Sequence, residues 1–265
     1  MPDANKTELD MLNRVLPDIV GTRLLLIGAG GIGMAVANLA RDLGVSIAVA
    51  NRSTPKLDAV KAAMPDVETH QINARSQESV NAVLDATMPD HVVLSTGYAR
   101  VMQSGGTDLA VATDYVGDRL EPIIAVANWS ANSAKKLRSI TVISGYIGTP
   151  IMGNMGWSMA SVAIKGLIEH LAVELGPTRV NAVAPGPVID TAMARLAAGS
   201  SEGLDGMAKA LSAKLPIKRP VTGDDVAREA LYVAGNPTAT GSIRFAEGGL
   251  SLIPNTLLSA DHLDH

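Results

Sequence analysis

The sequence contains no cysteine and very few aromatic side chains. Its 265 residues include one Phe, two Trp and four Tyr, although hydrophobic residues make up 47% of the chain. Without cysteine the chain cannot form disulfides or thiolate metal sites, and its composition agrees with a reducing compartment. The core must therefore consist of Ala, Val, Leu, Ile and Met, a composition that suits parallel strands covered by helices on both faces.

The sequence also lacks a block of charge of one sign and a long apolar run. The net charge of −4 and the scattered basic residues argue against nucleic acid or an anionic membrane as a partner. No apolar run approaches the ~20 residues of a membrane span, and the polar start of the chain does not resemble a signal peptide. We therefore expect a cytoplasmic protein. The two His and two Asp of residues 261–265 indicate a polar terminus, and no metal is expected there.

Strand and helix patterns alternate along the chain from residue 23 onward. Short apolar segments predict strands at 24–27, 46–50, 67–72, 92–94, 140–143, 180–183 and 242–245. Helical spacing predicts helices at 7–20, 32–43, 54–63, 76–86, 118–136, 154–175 and 223–235. This alternation predicts an α/β fold: one Rossmann-type domain with a doubly wound parallel sheet and helices on both faces.

The domain organisation follows from the same patterns. We assign residues 1–22 to an N-terminal helical extension, 23–255 to the Rossmann-type domain and 256–265 to a polar C-terminal tail. Residues 185–216 are predicted to be irregular, because Gly, Ser and Ala interrupt the helical spacing there.

A glycine-rich turn connects the first predicted strand to the first predicted helix. Gly28, Gly30 and Gly33 form the pattern G-x-G-x-x-G, with Gly31 and Ile32 at the start of the helix. The glycines permit a tight turn and a close approach of the backbone to a diphosphate, and the helix N-terminus offers it N–H groups. Because a strand precedes this motif and a helix follows it, the motif predicts a dinucleotide site.

The end of the second predicted strand indicates which dinucleotide is bound. Asn51, Arg52 and Ser53 stand where an NAD site has a carboxylate for the ribose 2′-hydroxyl, and the next carboxylate is Asp58. Arg52 offers a guanidinium to a 2′-phosphate, and its two neighbours offer an amide and a hydroxyl. We therefore expect NADP(H) as the cofactor. In the alternative, Arg52 only extends its charged group from the end of a strand into solvent and does not bind the cofactor.

These motifs, together with Ser144 and a Pro-Gly segment at 185–186, resemble the short-chain dehydrogenase/reductase family over nearly the whole chain beyond residue 22. The resemblance implies that Ser144 orients the substrate oxygen. It also implies contacts to adenine, to the adenosine half and to the nicotinamide carboxamide, the last through the Val188 backbone and the Thr191 hydroxyl. The residues that the resemblance assigns to the cofactor are Asn73, Ser95, Thr96, Gly97, Pro185, Gly186, Val188 and Thr191.

The catalytic acid and the lysine that the family uses are missing. In the family a Tyr follows the Ser by thirteen residues and a Lys comes four residues later, but this sequence has Trp157 and Ser161 there. Lys165 lies one further turn along the helix, about 6 Å from the required place. Arg119 stands 25 residues before Ser144, near the place of a helical Asn of the family. An indole N–H only donates hydrogen bonds, so ordinary ketone reduction is not expected, and Trp157 is predicted to form a wall of the site.

One replacement acid is present in the sequence. Tyr146 lies eleven residues before Trp157, at the position of the acid Tyr in the dienoyl-CoA reductases of this family. Those enzymes keep the Lys that is replaced here by Ser161. Tyr146 is therefore a candidate proton donor, and a purely structural role is the alternative.

Apolar residues around Trp157 predict a pocket for a small hydrophobic substrate. Ile151, Met152, Met155 and Met159 surround it in the sequence, and segment 186–216 resembles the mobile lid of the family. We expect an NADP(H)-dependent oxidoreductase that transfers hydride to an activated C=C or C=N bond, or to a C=O bond. The alternative is a protein that binds NADP(H) without turnover, as a sensor or a partner subunit.

The long predicted helix at 154–175 also bears on assembly. Ala163, Leu167, Leu171 and Val173 make it more apolar than one contact with a sheet requires. In the family this helix packs across a two-fold axis, and the glycines at 248–249 mark a second contact region. The resemblance therefore implies a homodimer or a homotetramer with closed symmetry.

Overall fold

Seven parallel strands form one sheet in the computed structural model, which describes residues 15–97, 108–145 and 155–253. The strands are β1 (Arg23–Ile27), β2 (Ser46–Asn51), β3 (Glu68–Gln71), β4 (His91–Leu94), β5 (Ser139–Ile143), β6 (Arg179–Pro185) and β7 (Ile243–Ala246). Their order in the sheet is β3-β2-β1-β4-β5-β6-β7. The direction of the order reverses between β1 and β4, and ligands of open α/β sheets bind at such a reversal, beyond the carboxyl ends of the strands.

Helices cover both faces of the sheet. They are α1 (Gly31–Asp42), α2 (Thr54–Ala63), α3 (Gln77–Thr87), α4 (Leu109–Asn132), α5 (Met155–Glu174), α6 (Ala192–Ala198), α7 (Ser201–Lys214) and α8 (Gly223–Gly235), with a short 3₁₀ turn at Leu250–Leu252. One apolar layer joins α1 and α8 to the sheet, and the other joins α3, α4 and α5 to its opposite face. The doubly wound, single-domain fold expected from the sequence is confirmed.

Most predicted elements are present with ends shifted by a few residues, and α2 and α8 have the predicted bounds. The prediction was wrong for residues 185–216, because this stretch contains α6 and α7. Gly199 and Ser200, which interrupt its periodicity, stand at helix ends, whereas Gly203, Gly206 and Ser212 lie within α7. Thr191 and Ser200 accept hydrogen bonds from N–H groups of the first turns, and Gly199 ends α6 at a φ of 72°.

Two further predictions need correction at helix ends. α4 begins at Leu109 rather than at residue 118, because the Asp108 carboxylate accepts hydrogen bonds from the N–H groups of Ala110 and Val111. The helix predicted at 7–20 does not reach residue 20, since bends and turns occupy 16–21. Ile19 in these turns is fully buried, and Gly235 at the end of α8 lies against it.

A buried histidine connects this N-terminal segment to the sheet. Nε2 of His91 lies 2.7 Å from the carbonyl oxygen of Asp18, and Nδ1 lies 2.8 Å from the Ser139 hydroxyl. A carbonyl oxygen only accepts, so Nε2 carries a proton, and in the neutral ring Nδ1 accepts from the Ser139 hydroxyl. Burial lowers the pKa of His91 to about 4.

This histidine should make the fold sensitive to moderately acidic pH. The unfolded chain takes up the proton near pH 6.5 and the folded chain only near pH 4, so stability is complete above pH 6.5 and falls as the pH drops towards 4. We expect a loss of about 3 kcal/mol in the free energy of unfolding across this window. Urea unfolding at a series of pH values measures the loss.

His91→Gln is the matched control, because its amide cannot titrate. The variant should be less stable at pH 7 but should lose much less stability between pH 6.5 and pH 4. If the variant and the parent lose the same free energy of unfolding between pH 6.5 and pH 4, the pH dependence does not come from His91.

Candidate cofactor and active site

A groove opens beyond the carboxyl ends of β1, β2 and β4, where the strand order reverses. Residues from the loops after these strands line it, together with residues of α4. Nine residues that the sequence analysis assigned to the cofactor lie along it: Gly28, Gly30, Asn51, Arg52, Ser53, Asn73, Ser95, Thr96 and Gly97. The groove also contains residues that were not predicted, among them Lys56, Arg75 and Asp118.

Two glycines of the first loop are required by close approaches of the backbone. A Cβ on Gly28 would overlap the carbonyl oxygen of Ser95, and Gly28 has a φ of 112°. A Cβ on Gly33 would overlap the carbonyl oxygen of Gly28. Gly30 stands at the N-cap of α1 without a side-chain cap, and a Cβ there would meet no atom within 4 Å. The loop and the helix N-terminus thus leave space and N–H groups for a dinucleotide diphosphate.

The end of the groove beside β2 carries positive charge and no aspartate or glutamate at the strand end. Arg52 and Lys56 both line it, and the Asn51 amide donates to the Ser53 carbonyl oxygen at 3.5 Å. Asn73 is exposed there, and its side-chain oxygen accepts from the N–H of Arg75 at 3.2 Å. The guanidinium and ammonium groups of Arg52 and Lys56 are of the kind that binds phosphate in proteins.

A third arginine of the groove, Arg75, is already paired with carboxylates. Its guanidinium contacts Glu121 at 2.6 Å, Asp114 at 2.7 Å and Asp118 at 3.1 Å. The hydrogen bond from Arg75 holds the pKa of Glu121 below its usual value. Arg52 and Lys56 are the other cationic residues that line the described part of the groove.

The Pro-Gly segment lies beside α1, outside the lining of this groove. β6 ends at Pro185, and the Gly186 N–H donates to the Ala246 carbonyl oxygen at 3.0 Å. The position of a Cβ on Gly31 would be 3.4 Å from the Thr191 Cα, so this segment meets the helix start. The Thr191 hydroxyl donates to the Val188 carbonyl oxygen at 2.8 Å and caps α6. Ile32, which the sequence analysis placed at the start of this helix, packs its side chain against the core.

The catalytic positions of the resemblance meet at the end of β5. Ser144 is 3% exposed, and its hydroxyl lies 3.3 Å from the carbonyl oxygens of Val183 and Gly145. The Trp157 ring lies directly on Gly145, where any Cβ would overlap it. Ser161, one turn further along α5, is 4% exposed. The indole therefore covers the backbone next to Ser144, as a wall of the site would.

Arg119 of α4 also reaches this place. Its Nη1 donates to the Thr96 carbonyl oxygen at 2.8 Å, and its Cζ lies 5.7 Å from the centroid of the Trp157 ring. Tyr115, one turn earlier, places its ring centroid 6.4 Å from that of Trp157. Burial lowers the pKa of Arg119. The spacing to Ser144 places Arg119 in this region of the sequence, but the direction of its side chain is visible only in the structure.

Several predicted features lie elsewhere or outside the described residues. Tyr146, Ile151 and Met152 fall in residues 146–154, which are outside the described residues. Lys165 is exposed and pairs with Glu169, as expected of a surface charge. In the described ranges, no cluster of three or more potential metal ligands is found, and no helix has the length and apolarity needed to cross a membrane.

Comparison with known families and curated proteins gives matches over most of the chain. Residues 28–251 match the family model described as enoyl-(acyl carrier protein) reductase. A short-chain dehydrogenase/reductase of Stachybotrys chlorohalonatus is 30% identical over 264 residues, covering 89% of this chain and 100% of the relative. A peroxisomal 2,4-dienoyl-CoA reductase of Danio rerio is 24% identical over 88% of this chain and 83% of its own length.

Solved structures share the fold. Aldohexose dehydrogenase of Thermoplasma acidophilum, in a ligand-free form, superimposes with a TM-score of 0.78 at 18% identity, over 90% of this chain and 97% of that one. A short-chain dehydrogenase/reductase of Serratia marcescens gives a TM-score of 0.72 at 22% identity, over 88% and 99% of the two chains. At these identities the likeness shows the fold alone.

Proposed function

Since the chain belongs to the short-chain dehydrogenase/reductase family of oxidoreductases, we propose that it is an NADP(H)-dependent reductase with an altered active site. The observation that carries the proposal is the combination of two features. The groove keeps the glycine loop and places Arg52 and Lys56 at its adenosine end. The catalytic end has an indole at Trp157 and a buried hydroxyl at Ser161.

The altered end favours substrates that need little acid catalysis. A ketone needs a proton for the developing alkoxide, and an indole N–H is too weak an acid to give it. An activated C=C or C=N bond makes a smaller demand on the proton donor than a C=O bond does. Two of the matches are named for the reduction of C=C bonds: the enoyl reductase family model and the dienoyl-CoA reductase. Their names support an activated C=C bond as the first choice of substrate.

Each residue of the site has a proposed task. Bound NADPH supplies the hydride. Ser144 orients the acceptor group of a small hydrophobic substrate, and the Trp157 ring forms a wall against it. Tyr146 or water gives the proton. The absence of cysteine supports the cytoplasm as the place where the protein works.

The experiment is NADPH oxidation with a panel of enones, enoyl thioesters and cyclic imines. At least one class should be turned over. NADPH binding without turnover of any class would favour the alternative, a sensor or partner subunit that lacks catalysis. Loss of NADPH binding itself would contradict both functions.

Cofactor choice is the first prediction of this proposal. NADPH should bind more tightly than NADH, because the Arg52 guanidinium pairs with the 2′-phosphate that NADH lacks. Arg52→Ala should weaken NADPH by ~1.5–3 kcal/mol, as expected for a hydrogen bond to a charged group, and should leave NADH unchanged. Calorimetric titration of both cofactors measures the difference.

Lys56→Ala provides the comparison within the same end of the groove. A single point charge without a planar fork should contribute less than Arg52, so the variant should weaken NADPH by a smaller factor. Equal affinities of the parent for NADPH and NADH would exclude the proposed role of these cations.

Assembly is a further proposal, supported by exposed apolar residues on two neighbouring helices. Ile124 of α4 is 51% exposed, and Val162 and Val173 of α5 are 64% and 85% exposed.

Leu171, counted with the apolar surface in the sequence analysis, is buried against the sheet. Gly248 and Gly249, the other expected contact region, lie against Ile217 and Pro216 of the same chain. The α4–α5 face is therefore the proposed interface of a homodimer or homotetramer.

Light scattering at micromolar concentration tests the assembly. The parent should have twice or four times the monomer mass, and Val162→Lys should shift it towards the monomer by placing a charge in the interface. Leu196→Lys, at a 52% exposed site on α6, is the control and should not change the mass. A monomeric parent would refute the proposal.

A further inference from the structure

Arg119 is a half-buried cation next to the Thr96–Gly97 turn, which lines the groove. It lies between the Thr96–Gly97 turn and the Trp157 ring, with one N–H group donating to the Thr96 carbonyl oxygen at 2.8 Å. Within the described ranges, no carboxylate lies within 4.0 Å of its guanidinium. The neighbouring Asp118 is directed instead to Arg75, at 3.1 Å. Of these two neighbouring residues of α4, Asp118 forms an ion pair within the described ranges and Arg119 does not.

A positive charge in this position destabilises the folded protein unless an anion neutralises it. Desolvation opposes the charged form, and burial lowers the pKa of Arg119 accordingly. A carbonyl oxygen and an aromatic face supply partial negative charge but no counter-ion. A guanidinium has five N–H groups, and only one of those of Arg119 is used by the described residues. The other N–H groups of Arg119 make no hydrogen bond to the described residues.

The surroundings indicate which anion fits. Arg119 is a single positive charge with a planar fork, which matches the two oxygens of a carboxylate. The Trp157 ring lies beside it, so a flat organic acid finds apolar contact next to the charge. A phosphate dianion would require a second cation, and Arg75 is held by three carboxylates.

We propose that Arg119 binds a carboxylate of the substrate, so that the substrate class is a small, flat, monoanionic organic acid. The inference rests on the proposed function, because it assigns the substrate of the same site. It makes Arg119 the specificity-determining residue, next to the Trp157 ring that forms the wall of the pocket.

The test compares acids with their uncharged amides. Benzoate, cinnamate and sorbate are titrated into the NADP⁺-saturated protein by calorimetry, each beside its primary amide. Each acid should bind roughly 10–100-fold more tightly than its amide, which is the range for a hydrogen bond to a charged group. If no acid of the three exceeds its amide, the proposal is overturned, and this comparison needs no variant.

Variants identify the cation. Arg119→Gln keeps an N–H donor for the Thr96 carbonyl oxygen but removes the charge, so the acids should fall to the affinity of the amides. Arg119→Lys should restore part of the preference. Arg195→Gln, an exposed arginine of α6, should leave it intact. Loss of the preference in Arg195→Gln and not in Arg119→Gln would overturn the assignment.

A cofactor control separates this inference from the proposed function. Arg119→Gln should bind both NADPH and adenosine 2′,5′-bisphosphate, which lacks the nicotinamide half, as the parent does. If the variant loses affinity for NADPH only, the guanidinium serves the nicotinamide half and the substrate role is wrong. If the parent fails to bind NADPH at all, the proposed function fails first.

Discussion

Replacing Trp157 by Tyr and Ser161 by Lys should create a carbonyl reductase activity that the parent lacks. The tyrosine adds an O–H group beside Ser144, and the lysine, one turn along α5, lowers its pKa. A general acid contributes roughly 10²–10⁴-fold, and we expect the lower end of this range. Removal of the indole leaves space above Gly145, in which the smaller ring has freedom to tilt.

Arg119 sets a further limit on this gain. Ser161 is buried, so a lysine there brings a second cation into a region that already holds the Arg119 guanidinium. Like charges in a site of low polarity disfavour each other. Adding Arg119→Asn should therefore raise the ketone activity of the double variant further. NADPH oxidation with acetophenone and cyclohexanone measures each rate.

The matched control replaces Trp157 by Phe in the Ser161→Lys background. Phenylalanine leaves the same space as tyrosine but has no hydroxyl, so this variant should show no gain. Equal rates for the Tyr and Phe versions would mean that the new activity comes from the enlarged pocket and not from an acid.

Gly33→Ala should damage both the fold and the cofactor site. The new Cβ would overlap the Gly28 carbonyl oxygen, and both partners are backbone, so neither can rotate away. Overpacking typically costs about 1–3 kcal/mol, and we expect the upper end here because the obstacle is backbone. The displaced loop should weaken NADPH by roughly 100-fold, the equivalent of about 2.7 kcal/mol. Urea unfolding and calorimetric titration measure the two effects.

Gly206→Ala is the control for this substitution. Gly206 lies inside α7, and a Cβ there meets no atom within 4 Å. Alanine in a helix interior should stabilise the protein by about 0.4–1 kcal/mol and should leave NADPH affinity unchanged. Similar behaviour of the two alanine variants would contradict the structural role of Gly33.

The sequence was sufficient to predict the sheet and the glycine loop, for physical reasons. Buried parallel strands are continuous apolar runs, and β1, β2 and β5 show this pattern directly. The stretch 185–216 was mispredicted because α6 has only seven residues, and α7 has no buried residue to give it periodicity. Its signals are the caps at Thr191 and Ser200 instead.

The site was predictable in its backbone parts and less so in its side chains. The groove residues at the glycine loop and after β2 follow from motif spacing, and the structure brings them together along one groove. Spacing could place Arg119 on a helix near Ser144, but it could not show that the guanidinium lies against Trp157. Nor could it show that Arg75 is paired with Glu121, Asp114 and Asp118, because these contacts depend on the packing of α4 beside the loop after β3.

Hydride transfer from NADPH to an activated double bond leaves a label in the product when the cofactor is deuterated. The most direct measurement uses NADPH with deuterium on both positions of nicotinamide C4, in ordinary water, with the enones and enoyl thioesters of the panel. Mass spectrometry and NMR of the product should find one deuterium, on the carbon β to the carbonyl group. If NADPH binds to the protein but no product of the panel carries deuterium, hydride transfer from NADPH to these substrates is contradicted.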